Sequence, residues 1–360
     1  MRIGLIAPPW VQVPPPRYGG TEQVVDDLAR EFVGLGHEVL LFTVAGSTCP
    51  VPQAWYFDGV AEPLGAGMAE TAHVLAGYRA LAEVDVIHDH TLLGPLIGGR
   101  LAGAPPVVTT VHGPFTPDAR TLYLETARTA SLVSISHAQR ATAPEIPVTA
   151  VIHHGIDLTR YTFGAGKGDF LLFVGRMSPD KGLDRAIRVA RRAGRRLVVV
   201  GKMHQDEEKA YFESVVRPLL GDDIEVMGEL TAPERIELMR SAVALVNPIC
   251  WPEPFGLVMA EALACGTPVI AYPNGAAPEI VDTGVTGWLC SDEDDMVRAV
   301  SEVAAIDRRA CRAAAEQHFD RARMARDHVR LYERVVQTPQ AGGATGRRER
   351  AGSDLVVVRP

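Results

Sequence analysis

The sequence is poor in cysteine, and no two cysteines lie close together. Its five, Cys49, Cys250, Cys265, Cys290 and Cys311, form no CxxC pair, so neither a zinc knuckle nor a disulfide framework is indicated. Three stand in apolar surroundings and read as buried thiols, which suits a reducing, cytoplasmic location. A basic surplus is missing too. Lys and Arg number 36 against 44 Asp and Glu, a formal net charge of −8, which argues against a nucleic-acid partner because phosphates need a basic face. No apolar run approaches the roughly 20 residues of a membrane span. The opening "MRIGLIAPPW" has one charge and a short apolar run before prolines, and reads as a first buried strand rather than a signal peptide. No strong basic amphipathic helix stands out in the N-terminal half; a peripheral membrane contact is still compatible with the chain.

Apolar material is plentiful. Hydrophobic residues make up 47% of 360, enough for one or two domains with substantial cores. Short β-rich runs alternate with helical patterns. Strands are expected at 2–7, 38–44, 85–88, 107–111, 132–136 and 148–153, then at 170–175, 196–201, 224–228, 243–248, 268–272 and 287–290. Most are continuous apolar runs, as in parallel strands covered on both faces. Alternation with helices of about 10–15 residues indicates βαβ units. The expected fold is α/β: two Rossmann-like, doubly wound domains facing each other across a cleft. The polar, glycine-bearing "DLTRYTFGAGKGD" breaks the rhythm and reads as a linker. The domains are then 1–156, a linker 157–169, a second domain 170–319, a helix 320–337 packing back on the first domain, and a disordered tail 338–360.

Ligands of such sheets bind beyond the carboxyl ends of strands, so residues just after strands matter most. A proline-stiffened loop follows the first strand and ends in Gly19-Gly20 before an amphipathic helix. These glycines either expose backbone N–H groups to an anion or make a plain tight turn; the segment is not a GxGxxG, so a nicotinamide cofactor gains little support. His112 follows a strand in "TTVHGPF" and is either a hydrogen-bond donor or proton carrier or a satisfied structural histidine. The cluster His88-Asp89-His90 also follows a strand and either lines the acceptor side or simply terminates the strand; as a metal site it is disfavoured, because adjacent strand positions point to opposite faces. In "FVGRMSPDKGLDRAI", Arg176 and Lys181 flank a turn before a helix. They either neutralise a diphosphate or are solvated surface charges. Arg185, Arg188, Arg191, Arg192, Arg195 and Arg196 read as a solvated helix face and turn.

"WPEPFGLVMAEALACGTPVIAY" carries Glu253 and Glu261, eight positions apart on either side of an apolar helical pattern. Pro252 and Pro254 hold Glu253 in a loop, and Gly266 closes the helix. The N–H groups of roughly Phe255, Gly256, Leu257 and Val258 are expected to fall at a helix start, where no carbonyl of the helix itself reaches them. If the helix reaches back far enough, both glutamates look along one side. Each carboxylate could then accept hydrogen bonds from sugar hydroxyls, or serve as a cap and a buried hydrogen-bonded acid respectively.

"YGGTEQVVDDLAREFVGLGHEV", "VGRMSPDKGLDRAI" and "EPFGLVMAEALACGTPVIA" together resemble the landmarks of the family 4 retaining nucleotide-sugar glycosyltransferases, of GT-B fold. The likeness runs from Met1 to about Val336, and the last segment matches the family's E-x7-E element. The resemblance implies a nucleoside-diphosphate sugar donor, UDP-sugar before GDP-sugar, a sugar or small-molecule acceptor, no catalytic metal and no cofactor. It further implies that Glu261 binds the ribose. Glu253 meets the donor sugar, helped by the N–H groups of Phe255, Gly256 and Leu257. Arg176 and Lys181 bind the diphosphate, Gly19 and Gly20 meet phosphates and sugar, and His112 lies near the reacting centre. Where the family often has "PNG" this chain has "HHGID", His153 to Asp157. An Asp292-Glu293-Asp294 pattern is like the DxD of the other glycosyltransferase fold but reads as a helix start. Segments 8–16 and 68–78 are placed on the acceptor side by location. A nucleotide-sugar epimerase of the same fold and a non-catalytic nucleotide-binding protein are the alternatives.

Overall fold

The computed structural model describes residues 1–17, 19–338 and 357–358. The chain divides into two units, Met1–Gly155 with Arg321–Pro360, and Ile156–Asp320. Each is built on a sheet of parallel strands with helices between them.

In the first unit the strands are β1 Arg2–Ile6, β2 Glu38–Thr43, β3 Gln53–Trp55, β4 Val86–Asp89, β5 Val107–Val111, β6 Ser131–Ser134 and β7 Val148–Val151. Their order is β3-β2-β1-β4-β5-β6-β7, with a two-residue strand, β14 (Val357–Val358), antiparallel to β3 at the edge. In the second unit β8 Phe170–Val174, β9 Arg196–Val200, β10 Ile224–Gly228, β11 Ala244–Asn247, β12 Val269–Ala271 and β13 Gly287–Leu289 run in the order β10-β9-β8-β11-β12-β13. Both orders are of the doubly wound type. The chain reverses its winding between β1 and β4 in one sheet and between β8 and β11 in the other, and this reversal opens a crevice at the carboxyl ends of those strands. The interior strands are buried residue after residue, β5 and β11 completely, which is why they read as continuous apolar runs.

The helix Gly20–Gly34 turns Val24, Val25, Leu28, Ala29 and Phe32 inward. The last helix, Arg321–Gln337, follows the second unit in sequence but belongs to the first. It buries Met324, Ala325, His328, Leu331 and Tyr332, a stripe at helical spacing. Tyr332 meets Phe32 edge-on at 5.5 Å between ring centroids. Arg321 bridges to Asp27 at 3.0 Å and Glu31 at 2.7 Å on the helix Gly20–Gly34.

The segment 157–169 is not a free linker. Gly164 N donates to Cys265 O at 3.0 Å, Gly166 N to Arg240 O at 3.1 Å and Gly168 N to Ser241 O at 2.8 Å. Arg308 and Arg312 donate to the carbonyls of Gly164 and Leu158. Its glycines let the backbone lie against the body of the second unit, and its polar groups are met there. The expected tail, 338–360, falls after Thr338 outside the described residues, apart from 357–358.

Four cysteines are buried, one more than the sequence suggests, and Cys250 is exposed; all five are free. Among the described residues no helix is long and apolar enough to cross a membrane.

Candidate functional site

In the second unit, the crevice end of β8 leads through Gly175 and Arg176 into the short turn Pro179–Lys181 and then the helix Leu183–Arg192. The crevice end of β11 leads into the loop that carries Trp251 and Glu253, and then into the helix Leu257–Ala264. Cys250 N donates to Asp180 O at 2.8 Å, which ties the two loops together. Lys181 and Glu253 meet as an ion pair with both side chains 16% exposed. The Lys181 ammonium also lies 5.4 Å from the centre of the Trp251 ring, within cation–π range. Arg176 pairs with Glu208 at 3.2 Å and with Asp180 at 3.5 Å. Glu208 also accepts from His204 N at 2.9 Å and Gln205 N at 3.2 Å. Burial works against its charge, but these two N–H donors and Arg176 outweigh burial and hold its pKa below the usual carboxylate range.

The two glutamates do not share a helix face. The helix begins at Leu257, so Glu253 stands in the loop four residues before it. Gly256 takes φ +93°, a left-handed turn open to glycine at little cost. That turn sends the chain from the Glu253 loop into the helix, leaving the first N–H groups, from Leu257 and Val258, with no carbonyl behind them in the helix. Phe255 beneath is buried and packs edge-on against Phe319 at 5.9 Å. Glu261, in the second turn, accepts a 2.7 Å hydrogen bond from the Tyr161 hydroxyl on one oxygen and lies 3.7 Å from Arg235 on the other. Glu253, Lys181 and Arg176 therefore gather around the loops after β8 and β11, while Glu261 is held by Tyr161 and Arg235. No local pattern marks Tyr161, Arg235 or Glu208 as partners, since each lies 26 or more residues from the group it holds.

The arginines of the helix Leu183–Arg192 and its turn are not merely solvated. Arg188 grips Glu293 at 2.7 Å and Asp184 at 3.0 Å, Arg192 contacts Asp294, and Arg191 holds Asp223 at 3.0 Å. Asp292 caps the helix Glu293–Glu302 by accepting from Asp295 N at 2.8 Å. The acidic triplet thus starts a helix and neutralises arginines. Among the described residues no group of three His, Cys, Asp or Glu is arranged to hold a metal.

In the first unit, Gly19 precedes the helix Gly20–Gly34 in extended conformation. A Cβ on Gly19 would sit 2.8 Å from both Pro15 Cβ and a Glu22 oxygen, so a side chain there would push the loop away from the helix start.

His112 follows β5. Its backbone is clamped by the buried Gln139, whose amide donates to Val111 O at 2.8 Å and Gly113 O at 2.7 Å. The strand alternation separates the residues of β4: Asp89 turns to Tyr78 and Thr91 on one face, and His88 and His90 to the other. His112 Nε2 lies 2.9 Å from His90 Nδ1. Its ring stacks on His154 at 5.2 Å, and the His90 and His88 rings are 4.0 Å apart. His88 is held at both nitrogens, by Tyr332 OH at 2.6 Å and Thr110 Oγ1 at 2.8 Å. Burial, with His328 nearby, pushes the His112 pKa down to about 3. The ring is therefore neutral near pH 7, one nitrogen bearing a proton and the other a lone pair.

Residues 18–160 match the model of Glycosyltransferase Family 4, and residues 162–318 that of Glycosyl transferases group 1. A phosphatidyl-myo-inositol mannosyltransferase of Mycolicibacterium smegmatis is 27% identical, over 99% of this chain and 100% of its own. A D-inositol 3-phosphate glycosyltransferase of the same organism is 28% identical, over 83% of this chain and 82% of its own. The solved structure of AviGT4, a glycosyltransferase involved in avilamycin A biosynthesis, superposes with a TM-score of 0.71 at 28% identity, over 93% of this chain and 98% of that one. HepE of Anabaena, solved with UDP and glucose, shares the fold at a TM-score of 0.73 and 20% identity, over 93% of this chain and 100% of that one. With both halves matched in this order, and with relatives and solved folds that span almost the whole chain, the protein belongs to the family 4 glycosyltransferases.

Proposed function

We propose that this glycosyltransferase moves a hexose from a nucleoside-diphosphate sugar to an acceptor hydroxyl, with retention of configuration and without a catalytic metal. A UDP-sugar is favoured and a GDP-sugar is next. The observation that carries the reading is the convergence of Arg176, Lys181 and Glu253 on the loops after β8 and β11, beside a helix N-terminus. A departing diphosphate needs concentrated positive charge, and two cations with free N–H groups supply it. In the free protein those cations are neutralised by Glu208, Asp180 and Glu253. The diphosphate would replace the carboxylates as their partner. Glu253, released, would accept from hydroxyls of the donor sugar, with the N–H groups of Phe255, Gly256, Leu257 and Val258 alongside. Glu261 would accept from the ribose through lone pairs that Tyr161 leaves available. Gly19 and Gly20 would meet phosphates and sugar from the first unit, and His112 would stand at the reacting centre.

In the reaction the bond from the anomeric carbon to the diphosphate oxygen breaks. A bond to the acceptor oxygen forms on the same face, and the acceptor proton passes to the departing phosphate. Support for a UDP-sugar comes from HepE, solved with UDP and glucose. The five free thiols fit a cytoplasmic location.

Thermal shifts against UDP, GDP, ADP and dTDP and their sugars test the donor: a ligand at about 100 times its Kd adds roughly 2.7 kcal/mol. Product analysis with an added sugar acceptor then tests transfer. Diphosphate release that requires acceptor, with a product of unchanged anomeric configuration, is expected. Interconversion of free nucleotide sugars would indicate an epimerase, and binding without turnover a silent protein.

A further inference from the structure

The histidines of the first unit determine what His112 can do. His90 is buried, and its Nδ1 faces His112 Nε2 at 2.9 Å. Only one of these two nitrogens carries the shared proton. If His112 donated from Nε2, His90 would have to carry its own proton on Nε2, which is buried with no hydrogen-bond partner. An orphaned buried N–H is the rarer and costlier outcome, and a bare lone pair there is better tolerated. His90 therefore donates from Nδ1, His112 Nε2 accepts, and the His112 proton is left on Nδ1.

The neighbours reinforce this choice. His88, fixed between Tyr332 and Thr110, packs its ring 4.0 Å from that of His90. His154 stacks on His112, and Gln139 grips the backbone on both sides of it.

We infer that His90 is a positioning residue that locks His112 in the Nδ1–H tautomer, so that His112 presents a hydrogen-bond donor, not a base, to the reacting groups. The inference rests on the placement of His112 at the reacting centre made above. A donor there can hold a sugar hydroxyl or steady the oxygen of the leaving group. It cannot remove the acceptor proton, which fits transfer of that proton to the departing phosphate.

The tautomer is read directly by NMR of the free protein labelled with ¹⁵N in histidine: a proton coupled to His112 Nδ1 is expected, and one on Nε2 overturns the assignment. The functional arm uses His90→Phe, which fills the space without a nitrogen, and His90→Asn, whose amide can donate from nearly the Nδ1 position. His90→Phe should slow transfer about 10- to 100-fold, as loss of the partner that orients a metal-bound histidine does. Its nucleoside-diphosphate affinity should stay unchanged, and His90→Asn should recover most of the rate. In a His112→Ala background, His90→Phe should add no further loss. An equal loss in both backgrounds, or a defect that His90→Asn does not relieve, refutes positioning through His112. Full activity of His112→Ala itself would instead refute the proposed place of His112, while the NMR result would still stand on its own.

Discussion

The two units wind their strands in the same order around the same kind of crevice, yet they line it with opposite chemistry. After β1, β4 and β5 come glycines and neutral imidazoles, with His90 and His112 in contact. After β8 and β11 come Arg176, Lys181 and Glu253, charged and paired. Of the 11 histidines, the second unit has only His204 and His318, both exposed. A doubly wound sheet fixes where a ligand meets the protein, and the loops decide what it meets. On the proposed reading, one unit would hold an anion and the other would handle hydroxyls and protons.

The most damaging test of that contrast is His112→Ala. The cations lie in the second unit, so the variant should keep its nucleotide affinity and lose about 10²–10⁴-fold in transfer rate, the range for a positioned hydrogen-bonding or proton-carrying group. If His112 only ties down a loop, melting temperature falls and transfer suffers less. Melting temperature, nucleotide titration and single-turnover transfer on one preparation separate the two.

Next in size is acid. Burial lowers the pKa of His112 to about 3, and of His73 and His328 to about 4; His88, His90 and His154 are pushed down as well. A folded-state pKa below the unfolded value of 6.5 means that the unfolded chain binds more protons. The stability these groups confer is present above pH 6.5 and is lost as pH falls from there toward 4. Between pH 7 and 5.5 the first three cost about 1 kcal/mol each, and the other three add in the same direction. Asp27 and Asp89, raised by burial to about 7 and about 6, gain protons on folding and offset about 2 kcal/mol of this. The first unit should therefore weaken selectively. Its reporter is the buried thiol of Cys49; that of the second is Cys311. With a pyridyl disulfide reagent in urea, the labelling midpoint of Cys49 should drop further at pH 5.5 than that of Cys311, and equal drops would remove the contrast.

The sequence disclosed backbone better than partners. Twelve of the fourteen strands among the described residues fall where the sequence places strands, most of them as apolar runs, because interior parallel strands are buried on both faces. β3 has only three residues and no such run, and β14 two. The glycines of 157–169 suggest a linker, but the same freedom lets that backbone bond to Cys265, Arg240 and Ser241. Glu253 and Glu261 stand out through spacing and prolines. Their common helical face does not exist, since the helix starts only at Leu257. Local sequence cannot show that Tyr161 meets Glu261 a hundred positions on, or that Glu208 occupies Arg176. Those contacts exist only once the sheet order is set.

The charged side of the comparison is sharpened by the two glutamates. Glu261→Gln turns a charged acceptor into an amide and should weaken binding of free nucleoside diphosphate by about 1.5–3 kcal/mol. Glu253→Gln should do the reverse of harm to the free diphosphate: Lys181 loses a competing carboxylate, so affinity holds or rises, while use of the sugar donor falls. Titration of both variants with the diphosphate and with the nucleotide sugar checks this division, and equal losses of diphosphate affinity would end it.

The smallest expected effect is that of chelation, which should be nil. Before a donor binds, the carboxylates at the charged crevice pair with its cations, Glu208 and Asp180 with Arg176 and Glu253 with Lys181, and on the reading proposed above the released Glu253 would then turn to the donor sugar. The acidic run Asp292-Glu293-Asp294 caps a helix and faces Arg188 and Arg192. On the proposed reading, Arg176, Lys181 and the helix start at Leu257 would supply the positive charge that a leaving diphosphate requires. Transfer should therefore proceed at the same rate in EDTA, and Lys181→Ala should lose rate that added manganese does not restore. An absolute need for manganese or magnesium in the unaltered enzyme would mean that the cations of the second unit bind the donor without carrying the charge of its departure.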